Sequence, residues 1–338
     1  MAQEIDNNRV TPDAILQLLW SPLAAQALIA GVELAVFTHI SQGKKTAGEI
    51  ARATGASVRG IEPLLDALVA MSYLNKKGGH YGLEPVSEAF LVRGKQTYMG
   101  DMIYSTKLTQ GGWMELTDVV RSGLPTSTVD IEAAGREFFP KLVSAIFPMS
   151  FGASRAAVAS LPEKSIRRIK SILDVAAGSA AWSIPFAMAN PEAKVTVLDF
   201  PEVTPIANEF AGKFGLADRY SYVEGNIREV DFGRSKYDLI ILGHIIHSEG
   251  EKWGKKLIKK SYRALTDGGM LLIGELIPND TRTGPAFPLL FGLNMLIHTK
   301  EGGVYTMKQY REWLKDAGFK KARTIDVPAP SPLILAVK

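Results

Sequence analysis

Cysteine is absent from the 338-residue chain, and histidine occurs only five times. Without cysteine the protein has no disulfide bonds, thiolate zinc sites, iron–sulfur clusters or cysteine nucleophiles, and a reducing, cytoplasmic environment is expected. Carboxylates are scattered along the sequence and do not recur at metal-ligand spacings. The sequence therefore predicts no divalent-metal site. The histidines are His39, His80, His244, His247 and His298.

A large excess of one charge is missing as well. The 39 basic and 35 acidic residues leave a net charge of +4, too balanced to indicate a nucleic-acid partner. Residues 1–10 are polar, which predicts no secretory signal. The most apolar stretch, 23–37, contains Gln26 and Glu33 and is too short to span a bilayer. We expect a cytoplasmic protein that does not bind membranes.

The first hundred residues are predicted to be mainly helical. Short helices over 46–53 and 57–71 precede a hairpin over 73–83, and this order of elements is typical of a winged helix. The second helix carries one basic and two acidic side chains, a poor match for phosphate. For residues 1–97 the pattern favours a dimer interface, with a DNA-binding regulator as the alternative.

From residue 171 onward, short apolar runs alternate with helical segments. This alternation predicts an α/β, doubly wound, Rossmann-like domain over 171–338, in which ligands bind beyond the carboxyl ends of the strands. The intervening residues 98–170 are rich in aromatic side chains and methionine. They are interpreted as a helical connector that contributes to a substrate pocket.

The first strand of that domain leads into a loop of small residues. Residues 174–181 include Gly178, and Asp199 follows 21 residues later at the end of the second strand. Small residues let a ligand approach the backbone, and a carboxylate at that strand end can accept ribose hydroxyl groups. An adenosine ligand is favoured, although a tight packing turn with a surface acid fits the same residues. Asp174 suits an ammonium group better than a pyrophosphate.

With these features, the chain resembles the S-adenosylmethionine-dependent O-methyltransferases of the caffeate and hydroxyindole type. The resemblance implies a class I methyltransferase domain and a homodimer formed through the N-terminal domain. Residues near Leu19, Trp20 and Leu23 would reach the partner's pocket. The similar segments are 26–37 (dimerisation helix), 46–83 (winged helix), 172–178 (cofactor loop), 199–203, 225–227 (adenine contact) and 264–273.

The resemblance also implies a set of residues that bind the cofactor. Ala176 and Ala180 stand where the family usually has glycine, and Asn226 replaces an aspartate. The added methyl groups would lie near the methionine part of the cofactor. The expected cofactor-binding residues are Asp174, Ala176, Gly178, Asp199, Phe200, Asn226, Ile227, Gly243 and His244.

The implied reaction centre is His247 as general base, with Glu275 beside it to orient the imidazole. His247 is placed at the end of a strand, where a packing role is the alternative. His244, three residues upstream on the same strand, is expected to point to the opposite face. Ser248 and Glu249 replace the Asp-Trp pair that usually follows the histidine. A second family acid is missing, with Val304 or Tyr305 in its place.

Apolar walls with one or two polar groups suit a flat aromatic acceptor. The predicted activity is methylation of a hydroxyl on a small aromatic or polyketide-like natural product. A C-methyltransferase or a non-methylating enzyme on the same scaffold remains open. The candidate acceptor-pocket residues are Phe139, Val143, Phe147, Met149, Phe291, Asn294, Met295 and His298.

Overall fold

The computed structural model describes residues 10–95, 97–129, 132–327 and 329–338. The polar opening segment 1–9 and Pro328 lie outside these ranges. Two compact units are present, Met1–Ile103 and Tyr104–Lys338. The separation of a connector over 98–170 from the sheet domain stays a prediction.

The first unit has the helix, helix, hairpin order that the sequence predicts. The second of the paired helices is capped by Ser57, and the first begins at a capping box of Thr46 and Glu49. Buried side chains such as Phe37 and Leu65 form its core. The elements are α1 (Asp13–Glu33), α2 (Val36–Ser41), α3 (Ala47–Thr54), α4 (Val58–Ala70), β1 (Leu74–Lys77), β2 (His80–Leu83) and α5 (Pro85–Phe90).

Helix α1 exposes a row of large apolar side chains. They are between 59% and 74% exposed. The apolar stretch 23–37 is predicted to be too short for a bilayer. The helix that forms begins earlier, at Asp13, and covers 21 residues. By length and composition alone, α1 is long and apolar enough to cross a membrane. The exposed side chains are Ile15, Leu18, Leu19, Trp20 and Leu23.

The second unit is built on a seven-stranded sheet with helices on both faces. The strands are β3 (Ser171–Val175), β4 (Lys194–Asp199), β5 (Tyr220–Glu224), β6 (Tyr237–Gly243), β7 (Leu265–Gly274), β8 (Lys321–Ile325) and β9 (Leu333–Val337). The helices are α6 (Met102–Met114, which contains the boundary between the units), α7 (Leu116–Ser122), α8 (Glu132–Val143), α9 (Phe147–Ala159), α10 (Glu163–Arg168), α11 (Ile184–Ala189), α12 (Thr204–Lys213), α13 (Ile246–Ala264), α14 (Ala286–His298) and α15 (Met307–Ala317).

The order of strands places the candidate site. It runs β5-β4-β3-β6-β7-β9-β8, with β3 to β7 parallel and the last two strands antiparallel additions. The chain leaves β3 toward β4 and later returns on the other side at β6. In such sheets a crevice opens at this switch point, beyond the carboxyl ends of the strands. The predicted Rossmann-like fold is confirmed.

Candidate active site

The loop between β3 and α11 turns tightly at three positive φ angles. Gly178 has φ +58°, and Ala176 and Ala180 have φ +52° and +56°. A left-handed backbone favours glycine, and a side chain there is strained. A Cβ on Gly178 would also lie 3.0 Å from Val143 Cγ1. The two alanines therefore follow the path of a glycine-rich loop while carrying methyl groups.

Asp199, at the end of β4, faces this loop. One carboxylate oxygen accepts the Gly178 N–H and the other accepts the Phe200 N–H, both at 2.8 Å. Burial raises the pKa of Asp199 to about 6, although both hydrogen bonds favour the charged form. Each oxygen keeps a further lone pair, so the carboxylate can also accept from a ligand's hydroxyl groups.

Asp174, at the end of β3, is fully buried. Burial raises its pKa to about 7, the charge of Asp199 adds to the rise, and hydrogen bonding from Ser183 opposes it. A buried carboxylate with so little compensation is costly to ionise. Its chemistry fits the ammonium group of an amino-acid ligand, as the sequence analysis expects.

A network links α8 to the ends of β4 and β5. Asn226 Nδ2 donates to Glu132 Oε2 at 2.8 Å, and Arg136 donates to the other oxygen of Glu132. Arg136 also donates to Glu202 at 3.0 Å, and its guanidinium lies 5.5 Å from the centre of the Phe200 ring. Sequence reasoning missed Glu132 and Arg136. Their only signal is an acid–base pair at i,i+4, which occurs on many surface helices.

His247 and Glu275 form a closely bonded pair. His247 Nδ1 lies 2.7 Å from Glu275 Oε2, and the His247 backbone N–H donates to Oε1 at 3.1 Å. Burial alone would raise the pKa of Glu275, but His247 holds it below the ordinary value. The ionised carboxylate selects the tautomer with hydrogen on Nδ1, so Nε2 keeps its lone pair.

His247 lies at the start of a helix and not at the end of a strand. Strand β6 ends at Gly243, and His247 is the second residue of α13. The segment between α14 and α15 contacts it, because the Gly303 N–H donates to the His247 carbonyl at 2.8 Å. Glu249, which follows, accepts from Arg228 at 2.6 Å. Val304 and Tyr305, in that segment, are both buried.

The prediction that His244 faces away from His247 is wrong. The strand has ended before His244, whose φ is +57°, and the two imidazole centres lie 6.0 Å apart. Burial lowers the pKa of His244 to about 4, so its ring is neutral at ordinary pH. Trp182, 5.5 Å from His244, lies across Gly243 and Gly274, where a Cβ would meet the indole at 2.3 and 2.5 Å.

His244, His247 and Glu275 also form a possible metal-ligand set. One ligand atom from each lies within 4.8 Å of the other two. Nδ1 of His247 and Oε2 of Glu275 are already bonded to each other, so an ion using those two atoms would have to replace that hydrogen bond. The expectation of metal-free catalysis stays a prediction.

Helix α14 brings several predicted acceptor residues toward this centre. The ring of Phe291 meets His247 edge-on with 4.9 Å between centres. Asn294, one turn further, accepts a hydrogen bond from the Trp113 indole N–H at 3.1 Å, which leaves its amide N–H groups as donors. Met295 is buried. His298 pairs through Nδ1 with Ser127 at 2.8 Å, and its buried Nε2 has no partner in the described part of the chain.

The candidates on α8 and α9 fall in other surroundings. Val143 packs on Gly178, and its carbonyl accepts the Ser179 hydroxyl at 2.9 Å, so it covers the cofactor loop. Phe147 stacks with Phe151 and packs against Phe210 of α12 in the core. Phe139 and Met149 are half-buried on α8 and α9. The acceptor role proposed for Val143 and Phe147 is therefore not supported.

The chain matches two protein-family models and is similar to known methyltransferases. Residues 113–320 match the family model described as an O-methyltransferase domain, and 16–93 match an O-methyltransferase dimerisation domain. The chain is 30% identical over 319 residues to 3-hydroxy-5-methyl-1-naphthoate 3-O-methyltransferase from Streptomyces sahachiroi, covering 92% of this chain and 90% of the relative. It is 31% identical to the tetracenomycin polyketide synthesis 8-O-methyl transferase TcmO from Streptomyces glaucescens, covering 97% of each.

Solved structures and a third relative extend the comparison. A crystal structure described as an O-methyltransferase from Nostoc punctiforme superposes with a TM-score of 0.86 at 29% identity, covering 98% of this chain and 100% of that chain. PigF bound to S-adenosylhomocysteine superposes at 0.81 with 25% identity, covering 98% of each. L-tyrosine C(3)-methyltransferase from Streptomyces lavendulae is 25% identical, covering 96% of this chain and 93% of the relative.

Proposed function

This chain belongs to the S-adenosylmethionine-dependent O-methyltransferases, and we propose that it methylates a hydroxyl of a small aromatic or polyketide-like acceptor with His247 as general base. The observation that carries the proposal is the His247–Glu275 pair beside the strand-end crevice. Two relatives act on a hydroxynaphthoate and in polyketide synthesis, which supports an aromatic acceptor. The Phe291 ring beside His247 suits such a ring system.

The chain's own residues hold and orient the reactants. When bound, S-adenosylmethionine supplies a methyl group on a positively charged sulfur. The new O–C bond forms as the C–S bond breaks, so acceptor oxygen, methyl carbon and sulfur must be in line. Asp199 is assigned to the ribose hydroxyls, since each of its oxygens keeps acceptor capacity, and Asp174 to the ammonium group, since it is a buried carboxylate near the end of β3.

His247 removes the acceptor's proton. Its Nε2 lone pair is available because Nδ1 is bonded to Glu275. A phenol titrates near 10 and histidine near 6.5, so the proton moves as the O–C bond forms rather than beforehand. Glu275 then stabilises the imidazolium, which returns its proton to water.

Replacing His247 tests this assignment. His247→Ala should lower kcat by about a hundredfold or more, with S-adenosylhomocysteine binding unchanged by isothermal titration. His80→Ala, on the exposed hairpin of the first unit, is the matched control. Wild-type turnover by His247→Ala would overturn the general-base role, and failure of the wild-type protein to bind S-adenosylhomocysteine would overturn the activity.

C-methylation is the second candidate, because one relative is an L-tyrosine C(3)-methyltransferase. An aromatic carbon nucleophile needs the same in-line approach, and His247 would then take a proton at a different stage. Transfer of a ¹³C-labelled methyl group to a panel of phenols, followed by NMR of the product, separates a methoxy from a ring-methyl product.

The dimerisation-domain match supports a homodimer. For its interface, the exposed apolar row on α1 is the proposed surface, with a second copy of this chain as the occupant. In this arrangement the side chains near Leu19, Trp20 and Leu23 line the partner's acceptor pocket.

A further inference from the structure

Just after β5, the side-chain amide of Asn226 makes hydrogen bonds through both its oxygen and its nitrogen. Asn226 Oδ1 accepts the Arg228 backbone N–H at 2.9 Å, and Nδ2 donates to Glu132 Oε2 at 2.8 Å. Both bonds fix which way the amide faces. The carboxylate that accepts the hydrogen bond from this amide comes from α8, 94 residues away in the sequence.

Glu132 is held in its charged form. The Asn226 amide and then Arg136 lower the pKa of Glu132, and Arg136 bonds its other oxygen through Nε and Nη2. Arg136 is itself held by Glu202 and lies over Phe200, directly after Asp199. One charged network thus spans α8, the β4 end and the β5 end.

The nucleoside of the cofactor would be held next to this region. β5 is the outer neighbour of β4, so a base that extends from a ribose at Asp199 toward the edge of the sheet would meet the end of β5. Adenine offers an exocyclic amino group there, and this donor needs an acceptor when it leaves water. A carboxylate oxygen has lone pairs left after one hydrogen bond to Asn226.

We propose that Glu132 is a cofactor-binding residue that accepts the hydrogen bond from the adenine amino group. The inference rests on the proposed function, because it requires the S-adenosylmethionine site at Asp199. It assigns to α8 a role in recognising the base, supplied from outside the strands of the sheet. Arg136 is a positioning residue that holds the carboxylate of Glu132 toward β5.

The test compares two ligands that differ at the 6-position of the base and at the adjacent N1, which is an acceptor in adenine and carries hydrogen in the inosyl base. S-adenosylhomocysteine carries the amino group, and S-inosylhomocysteine carries a carbonyl oxygen in its place. Wild-type protein should bind the inosyl ligand at least about tenfold more weakly by isothermal titration, since two acceptors would face each other. Glu132→Gln offers an amide donor to that oxygen and should reduce the discrimination to about twofold or less.

Glu137→Gln is the control on the same helix, because that side chain is exposed and lies 3.5 Å from Lys141. It should keep wild-type discrimination. If Glu132→Gln weakens both ligands equally, the carboxylate only secures α8 and the inference is wrong. If wild-type protein binds neither ligand, the proposed function fails instead, so the two failures are distinguishable. Thermal unfolding of each variant checks that it is folded.

Discussion

Glu275 holds His247 at two points, through the imidazole Nδ1 at 2.7 Å and the backbone N–H at 3.1 Å. The carboxylate is almost completely buried, with 1% of its side chain exposed. Glu275 therefore both places a negative charge beside the His247 imidazole and fixes the orientation of that ring.

Removing that charge should slow methyl transfer. Glu275→Gln preserves the shape and one acceptor oxygen but no longer stabilises an imidazolium, so kcat should fall about tenfold or more. The KM for S-adenosylmethionine should change little. Initial rates over both substrates measure this. Glu251→Gln, which loses an exposed pair with Lys255, is the control, and equal rates in both variants would contradict the role.

Asp174 should make the protein without cofactor less stable as the pH rises. Burial raises the pKa of Asp174 from 3.8 to about 7. Between these two pH values the native protein keeps a proton on Asp174 that the unfolded chain has lost. Stability is therefore lost between about pH 4 and pH 7. Asp174→Asn should raise Tm at pH 8 and change it little at pH 4, measured by scanning calorimetry. The exposed Asp118→Asn should show no such pH dependence, and a lower Tm at pH 8 for Asp174→Asn would contradict the argument.

Because Ala176 and Ala180 have positive φ angles, we predict that a glycine in this loop increases the stability of the fold. Ala176→Gly relieves a left-handed backbone at φ +52°, which should outweigh the added chain entropy and stabilise the fold by about 1 kcal/mol. Chemical denaturation measures it. Ala187→Gly inside α11 should instead destabilise, and a loss of stability at both positions would show that the loop carries no strain.

Activity should not depend on a divalent cation. The Nδ1 to Oε2 hydrogen bond uses two atoms that an ion among His244, His247 and Glu275 would need. Dialysis against EDTA should leave turnover within about twofold of the untreated enzyme. Loss of activity that returns with one added metal, and not with others, would identify this trio as a metal site.

The exposed row on α1 should hold the dimer together. Leu19→Lys places a charge in the centre of an apolar surface and should shift the protein to monomer at micromolar concentration, measured by size-exclusion chromatography with light scattering. Val58→Lys changes an exposed apolar residue on α4 and should leave the dimer intact. A dimer that survives the first change and not the second would place the interface elsewhere.

Much of the fold follows from local signals. The capping box at Thr46, the hairpin over 73–83 and the short apolar runs from residue 171 onward predict elements that the structure contains. The strand and helix bounds differ by a few residues, as at α3, which is predicted over 46–53 and found over Ala47–Thr54. These signals act within a few neighbours along the chain, so they can be read without knowing the fold.

The site was less predictable where a side chain's surroundings come from distant segments. Strand alternation placed His244 and His247 on opposite faces, but β6 ends at Gly243 and a helix begins at Ile246. From residue type alone, Phe147 and Val143 are predicted to line the acceptor pocket. In the structure Phe147 packs on Phe210 of α12, and Val143 packs on Gly178.

By itself the sequence determined the alternation of strands and helices, the tight loop around Gly178, and the acids that end β3 and β4. Those features depend on side-chain type and on spacing along one segment. Only the tertiary structure decided that His244 lies beside His247 and that Glu132 reaches Asn226. The physical reason is that hydrogen bonds between remote segments form only after the packing of the sheet and its helices has brought those segments together.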